Sequence, residues 1–180
     1  MDEPADFREL AVKHMDSLYN YGRILTRNET EAEDLLQETL LRAFRGRTSL
    51  NRGLNPKVWL LKIMKNAHID RCRRKLARPV EEALQEEQGL AECALPLNPE
   101  EILLRRLAIE DVRAAIRRLS PVWREAVELR DIEGLSYQEI ASVIDRPIGT
   151  VMSRLYRGRN LLRSFLQSHH AIQPGRVRDL

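Results

Sequence analysis

The sequence predicts an all-α protein of two small helical domains, a bundle of three to four helices and a helix-turn-helix domain, joined by a flexible acidic linker. The chain of 180 residues has only eight Gly and eight Pro, too few for a loop-rich β protein. Aromatic residues make up 5%, and the abundance of Leu, Ala, Glu and Arg favours long helices. Hydrophobic residues make up 43%, which is enough for a core and argues against disorder throughout.

Five local signals indicate where helices begin. Three of them place a capping side chain before a Pro at the first helical position: Asn55-Pro56, Asn98-Pro99 and Ser120-Pro121. Two capping boxes begin at Thr30 and Ser136, each with a Glu three residues later. With an opening helix from about residue 6, these signals predict helices near 6–26, 31–46, 56–77, 99–118, 121–132, 137–144 and 149–166.

The apolar pattern predicts that these helices pack as two separate clusters. The first three helices form a domain at 1–78 and the last four a domain at 99–168, with a C-terminal tail at 169–180. Residues 79–98 contain five Glu, two Pro, one Gly and no Lys or Arg. Such a segment has little to bury, and we expect a flexible linker there.

Charge is segregated along the chain although its formal net value is only +3. Residues 28–38 carry a net charge of −5, whereas 62–78 carry +6 and 146–163 carry +5. One basic block alone can be a solvated helix face. Two basic blocks favour a polyanionic partner, because clusters of Lys and Arg release condensed counterions from nucleic acid.

The segment LSYQEIASVIDRPIGTVMSRLY at 135–156 has the pattern of a helix-turn-helix. Small Ala141 permits a close helix crossing, and we expect Pro147 to stop the first helix. Val151 and Leu155 anchor the second helix on the core side. The outward residues are Thr150, Met152, Ser153, Arg154 and Arg157. An ordinary helical hairpin is the alternative, but outward polar and basic residues are what a recognition helix needs to reach bases and phosphates.

Three motifs in the right order resemble a known family. The segment DLLQETLLRAF at 34–44 resembles the core-polymerase-binding segment of bacterial RNA polymerase sigma factors. The pattern WLxxIxxNxxxDxxRR from Trp59 to Arg74 is similar to that of the extracytoplasmic-function (ECF) group, as are SYQEIA at 136–141 and PIGTV at 147–151. The resemblance covers roughly residues 6–166. It implies a protein that is not an enzyme and that directs core RNA polymerase to promoters.

The resemblance also implies which residues serve each partner. For core RNA polymerase they are Asp34, Leu35, Gln37, Glu38 and Leu41, mostly at helical spacing along one side of a helix. For the −10 element of promoter DNA they are Arg47, Asn51, Arg52, Asn66, Asp70, Arg73, Arg74 and Lys75. For the −35 element they are Ser136, Tyr137, Gln138, Glu139, Thr150, Met152, Ser153, Arg154, Arg157 and Arg159. An inhibitory anti-sigma factor is a further implied partner.

Neither a cofactor nor a metal site is expected. His68 and Cys72 lie one helical turn apart but supply only two ligands. No stretch approaches about 18 apolar residues and the acidic N-terminus lacks an apolar run, so we expect no membrane insertion and a cytoplasmic location. In that compartment Cys72 and Cys93 are expected as free thiols.

Two other functions fit part of the pattern. A DNA-binding repressor or activator would read DNA but would not bind core polymerase. A sigma-like decoy would sequester a regulator but would not start transcription. A small nuclease would need a cluster of carboxylates in a basic groove, which Asp70 alone does not supply.

Overall fold

The computed structural model describes residues 3–50, 55–76 and 111–172, and every regular element in these ranges is a helix, which confirms the predicted all-α class. The first half contains α1 (Glu3–Lys13), α2 (Met15–Thr26), α3 (Glu29–Arg45), a 3-10 turn (Arg47–Ser49) and α4 (Pro56–Leu76). The second half contains α5 (111–117), α6 (Pro121–Val127), a π-helical turn (Glu128–Ile132), α7 (Tyr137–Ile144) and α8 (Ile148–Ile172). Within the described ranges, no helix is both long and apolar enough to cross a membrane.

The prediction of one continuous opening helix over 6–26 is wrong, because the chain bends at His14. His14 has φ −111° and ψ 8°, which is outside the helical region, so α1 ends before it and α2 begins after it. The bend lets α1 fold against α3, where the rings of Phe7 and Phe44 meet edge to face with centroids 5.6 Å apart.

Side-chain caps start three of the helices, although not always at the predicted residue. α3 is capped by Asn28, whose Oδ1 accepts from the backbone N–H of Glu31 at 2.9 Å, so the capping box predicted at Thr30 is wrong. Asn55 caps α4 as predicted, by accepting from the backbone of Lys57 at 3.1 Å.

The capping box at Ser136 is confirmed. Its Oγ accepts from the backbone N–H of Glu139 at 3.2 Å, and the Glu139 carboxylate accepts from the backbone N–H of Ser136 at 2.8 Å. Ser120 also stands before its helix as predicted, but its side chain makes no capping hydrogen bond. The linker expected at 79–98 and the helix start at Pro99 lie outside the described residues.

The turn between α7 and α8 is made by Asp145 rather than by Pro147. Asp145 adopts the left-handed conformation at φ 52°, and this ends α7 two residues before the proline. The Pro147 carbonyl instead accepts from the backbone N–H of Thr150 at 2.9 Å, which places the proline at the start of α8. α8 runs to Ile172, six residues beyond the predicted end at 166.

The two apolar clusters expected from the sequence are one cluster in the structure. Its buried members run from Leu18 of α2 through Leu61 of α4 to Ile140 of α7 and Leu155 of α8. They merge because α4 packs against α7 and α2 packs against α6. The two halves of the chain are therefore in direct contact.

The crossing of α6 and α8 is close because of a glycine. A Cβ built on Gly158 would lie 2.8 Å from Cγ2 of Val127, which is nearer than real Cβ atoms approach. Gly158 therefore lets α8, the second helix of the helix-turn-helix, pack tightly on α6.

Candidate nucleic-acid and polymerase interfaces

The outward face of α8 presents the residues that the helix-turn-helix pattern predicted. Val151 and Leu155 are buried and hold the helix on the core. Met152 is 50% exposed, Ser153 and Arg157 are exposed, and Thr150 and Arg154 are half-buried. In the described part of the chain neither Arg154 nor Arg157 pairs with an acid. This face therefore offers two guanidinium groups to an anion without first breaking an ion pair.

Arg159 differs from the other predicted contacts on α8. Its Nε donates to Oδ2 of Asp131 at 3.1 Å, and its Nη2 donates to the other oxygen of the same carboxylate. This pairing with Asp131 raises the pKa of Arg159. The π-helical turn brings Asp131 to α8 from 28 residues earlier in the chain. Arg159 can therefore reach a phosphate only by leaving Asp131, and its contact with DNA stays a prediction.

The predicted −35 contacts on α7 are mostly occupied within the protein. Gln138 is exposed, whereas Tyr137 is half-buried with the guanidinium of Arg130 at 5.1 Å from its ring centroid. Ser136 is exposed, but its Oγ serves the cap of α7. The hydrogen bond from the backbone of Ser136, and next that from Asn55, lower the pKa of Glu139. Only Gln138 of these four points outward with no partner among the described residues.

On α4, two predicted −10 contacts face outward and three face α3. Asn66 and Arg73 are exposed and lie two helical turns apart, on the same side of the helix. Asp70 accepts from Nη1 of Arg42 at 2.8 Å, and this hydrogen bond lowers the pKa of Asp70. The other two form ion pairs with α3: Arg74 with Glu38 at 3.5 Å and Lys75 with Glu31 at 2.6 Å.

The loop that carries the predicted −10 contacts Arg47, Asn51 and Arg52 is described only in part. Arg47 donates from Nη1 to the backbone carbonyl of Phe44 at 2.9 Å, and its guanidinium lies 4.5 Å from the centroid of the Phe44 ring. These contacts hold Arg47 against the end of α3. Asn51 and Arg52 lie outside the described residues.

Of the five α3 residues predicted to contact core RNA polymerase, three are exposed. Asp34 and Gln37 are exposed, and Leu41 is 58% exposed. Leu35 is fully buried, because it falls on the core side of the helix one residue after Asp34. Leu35 is thus a core residue in this structure, and its predicted contact with core polymerase stays a prediction.

Glu38, the remaining residue of this set, is half-buried and links α3 to α4 through ion pairs. Its carboxylate lies 2.6 Å from Arg42 and 2.6 Å from Nε of Arg71. Burial raises the pKa of Glu38, but the hydrogen bonds and charges of Arg71 and Arg42 outweigh burial, and the pKa is lowered. Glu38 is thus held ionised inside the protein.

Arg71 is a residue that the sequence pattern did not single out. It donates from Nε to Glu38 at 2.6 Å and from Nη2 to the carbonyl of Asp34 at 2.9 Å. The opposite charges of 28–38 and 62–78 could have indicated a pairing between α3 and α4, but each block had been assigned to a different external partner. The structure pairs the two blocks with each other.

His68 and Cys72 are neighbours, with Nε2 and Sγ 3.5 Å apart. Within the ranges that the structure describes, no three His, Cys, Asp or Glu side chains are placed to hold a metal ion. Burial lowers the pKa of His68.

Comparisons with known proteins find relatives of both halves of the chain. The family described as Sigma-70 region 2 matches residues 10–78, and the family described as Sigma-70, region 4 matches residues 109–162. ECF RNA polymerase sigma factor SigE of Mycolicibacterium smegmatis is 40% identical over 161 residues, which are 89% of this chain and 62% of SigE. ECF RNA polymerase sigma factor EcfG of Rhodopseudomonas palustris is 34% identical over 150 residues, 83% of this chain and 79% of EcfG.

A solved structure has the same fold over almost the whole chain. It is the sigma factor RpoE from Bartonella quintana, in complex with the anti-sigma factor NepR. The TM-score is 0.65 at 27% identity, and the match covers 90% of this chain and 97% of the other.

Proposed function

The chain belongs to the ECF group of RNA polymerase sigma factors, and we propose how its surfaces divide the work of a promoter-specific transcription initiation factor. The observation that carries the proposal is the outward face of α8, where Arg154 and Arg157 lack acidic partners in the described part of the chain. Apolar side chains anchor this helix from behind, so it can enter a major groove as a rigid element.

The second half reads the −35 element through α8. Arg154 lies in the first turns of the helix, where recognition helices contact base edges, and a bidentate Arg–guanine contact is the commonest specific one. Arg157 follows three residues later and contacts a phosphate. Met152 adds an exposed apolar contact, which suits the methyl group of a thymine.

The first half reads the −10 element through the outward side of α4. Asn66 contacts a base and Arg73 a phosphate, because both are exposed on one side of the helix. Asp70 does not face DNA in this proposal but positions Arg42. Arg74 and Lys75 reach phosphate only by leaving Glu38 and Glu31.

α3 docks core RNA polymerase with Asp34, Gln37 and Leu41. Leu41 and the neighbouring Phe44 are large apolar side chains with 58% and 43% of their surface exposed. An apolar patch beside an exposed carboxylate suits a partner helix that presents both basic and apolar side chains. Glu38 shapes this surface from beneath through its ion pairs.

The remaining parts of the proposal concern organisation and partners. The matched regions 10–78 and 109–162 fall inside the predicted domains at 1–78 and 99–168, which supports that division. The complex of RpoE with NepR supports an anti-sigma factor as a partner of this chain too. The protein acts with polymerase in the cytoplasm and has no catalytic role of its own.

Run-off transcription with purified core RNA polymerase tests the function. Genomic promoter fragments should give discrete transcripts only when this chain is added, and Arg154→Ala should lower their yield. A repressor would bind DNA but give no transcript and no complex with core polymerase. A decoy would bind a regulator and likewise give no transcript. Either result would refute the proposed function.

A further inference from the structure

The π-helical turn after α6 brings a carboxylate to α8. The turn is closed by a hydrogen bond from the backbone N–H of Glu133 to the carbonyl of Glu128 at 2.9 Å, five residues earlier. Asp131 lies in this turn and accepts from Arg159 with both carboxylate oxygens, from Nε at 3.1 Å and also from Nη2. A bidentate pair of this kind is the strongest and most directional contact between Arg and a carboxylate. Asp131 therefore fixes the guanidinium of Arg159 in one orientation.

The pair lies beside the DNA-facing side of α8. Arg159 follows Met152 by seven residues and Tyr156 by three, and these spacings place all three on one side of a helix. Met152 and Tyr156 are 50% and 71% exposed. The side chains of Arg159 and Asp131 are themselves 41% and 39% exposed. A phosphate that approaches the later turns of α8 would therefore meet Arg159 with its charge already paired.

Asp131 removes one cation from a block that holds no acid of its own. Residues 146–163 contain five arginines, and among the residues that the structure describes the other four have no acidic partner. An ion pair this exposed contributes little to the stability of the fold. The main effect of the pair is therefore on the attraction of α8 for a polyanion, which rises with every arginine that can displace a counterion.

Specific and non-specific binding use the arginines of α8 differently. In the specific complex, base contacts at the first turns of the helix fix its position in the groove. In a non-specific complex no base contact fixes the helix, so it can tilt or slide to wherever most of its arginines reach phosphates. An additional free arginine three turns after the start of α8 therefore strengthens the non-specific complexes more than the specific one.

We infer that Asp131 is a specificity determinant, which weakens binding to sequences other than the −35 element by holding Arg159. The inference rests on the proposed function, in which α8 reads that element. Specificity is a difference of affinities, and it rises when a contact available to the wrong partner is removed. In this role Asp131 acts through Arg159 rather than by touching DNA, so it is a positioning residue.

Asp131→Asn tests the inference, because the amide keeps the shape of the side chain but loses its charge. Fluorescence anisotropy over a salt series measures binding to a duplex that the wild-type chain selects from genomic fragments and to a scrambled duplex of the same length. On the scrambled duplex the freed Arg159 gains a phosphate, so the slope of log affinity against log salt should steepen by about 0.9 and the affinity at about 0.1 M salt should rise about eightfold. On the selected duplex the affinity should rise less than about twofold, so that the preference falls about fourfold.

Two further variants separate this effect from a change in net charge. Asp131→Asn with Arg159→Ala should bind both duplexes as Arg159→Ala alone does, since the guanidinium that gains the phosphate is absent. Glu33→Gln removes one negative charge from an exposed position of α3 that has no basic partner among the described residues, and it should leave the preference unchanged. Far-UV circular dichroism should show wild-type helicity for every variant, because the pair is exposed.

An unchanged affinity of Asp131→Asn for the scrambled duplex, or a gain of equal size on both duplexes, would overturn the inference. A gain that survives in the double variant would overturn it too, because Arg159 would not be its source. The binding measurements need no polymerase. Run-off transcription without any transcript would refute the sigma-factor function, whereas the comparison of the two duplexes would still decide the role of Asp131.

Discussion

Replacing Arg157 with Ala should remove one phosphate contact of α8 and weaken binding to every DNA sequence alike. Arg157 is exposed and has no acidic partner among the described residues, so its full charge is available to displace a counterion. On duplex DNA one phosphate contact contributes about 0.9 to the slope of log affinity against log salt. The affinity deficit of the variant should therefore shrink about 3.5-fold between roughly 50 and 200 mM salt.

Fluorescence anisotropy with a −35 duplex and a scrambled duplex over a salt series measures this slope. Arg159→Ala is the matched control, two residues along the same helix, and its slope should change by less than half as much because Asp131 already holds its guanidinium. Arg154→Ala should instead lose about 1–3 kcal/mol on the matched duplex alone. A wild-type slope for Arg157→Ala on both duplexes would remove α8 from the DNA interface.

Three other measurements check the fold and the polymerase surface. Gly158→Ala should destabilise the protein by about 1–3 kcal/mol in urea unfolding, since its Cβ would meet Val127, whereas Gly149→Ala, with open space around it, should not. Asp34→Arg with Gln37→Ala, both exposed, should weaken core-polymerase binding by about 2–5 kcal/mol in a titration while helicity stays unchanged. Burial raises the pKa of Glu128 to about 7, so the folded protein holds a proton that the unfolded chain releases near pH 4.5, and stability should fall as the pH rises from about 4.5 to about 7. Glu128→Gln should remove that pH dependence, worth on the order of 3 kcal/mol in total, and an unchanged pH profile would contradict the assignment.

Local chemistry made most helix boundaries predictable. The capping box at Ser136 and the Asn55–Pro56 start each depend on residues within three positions of one another, and both were predicted correctly. The start of α3 was not, because Asn28 and Thr30 are both good caps two residues apart and only the tertiary structure selects between them. The end of α7 was also predicted at the wrong residue. Asp145 ends the helix in a left-handed conformation, two residues before the more conspicuous Pro147.

Long-range pairing could not be predicted from charge blocks. Residues 146–163 contain no acid, which argued against local pairing but left long-range pairing open, and Asp131 pairs with Arg159 from outside that window. Leu35 is buried although its neighbour Asp34 is exposed, because one residue along a helix turns a side chain by about 100°. The contact of Glu125 with Tyr21 spans 104 positions, and no local pattern reports it.

The charge that α4 offers to DNA is smaller than its sequence indicates. Residues 62–78 carry a net charge of +6, but Arg71 and Arg74 pair with Glu38, Lys75 pairs with Glu31, and Lys65 pairs with Glu125. Because paired charges release few counterions, the protein should owe most of its salt-dependent DNA affinity to α8.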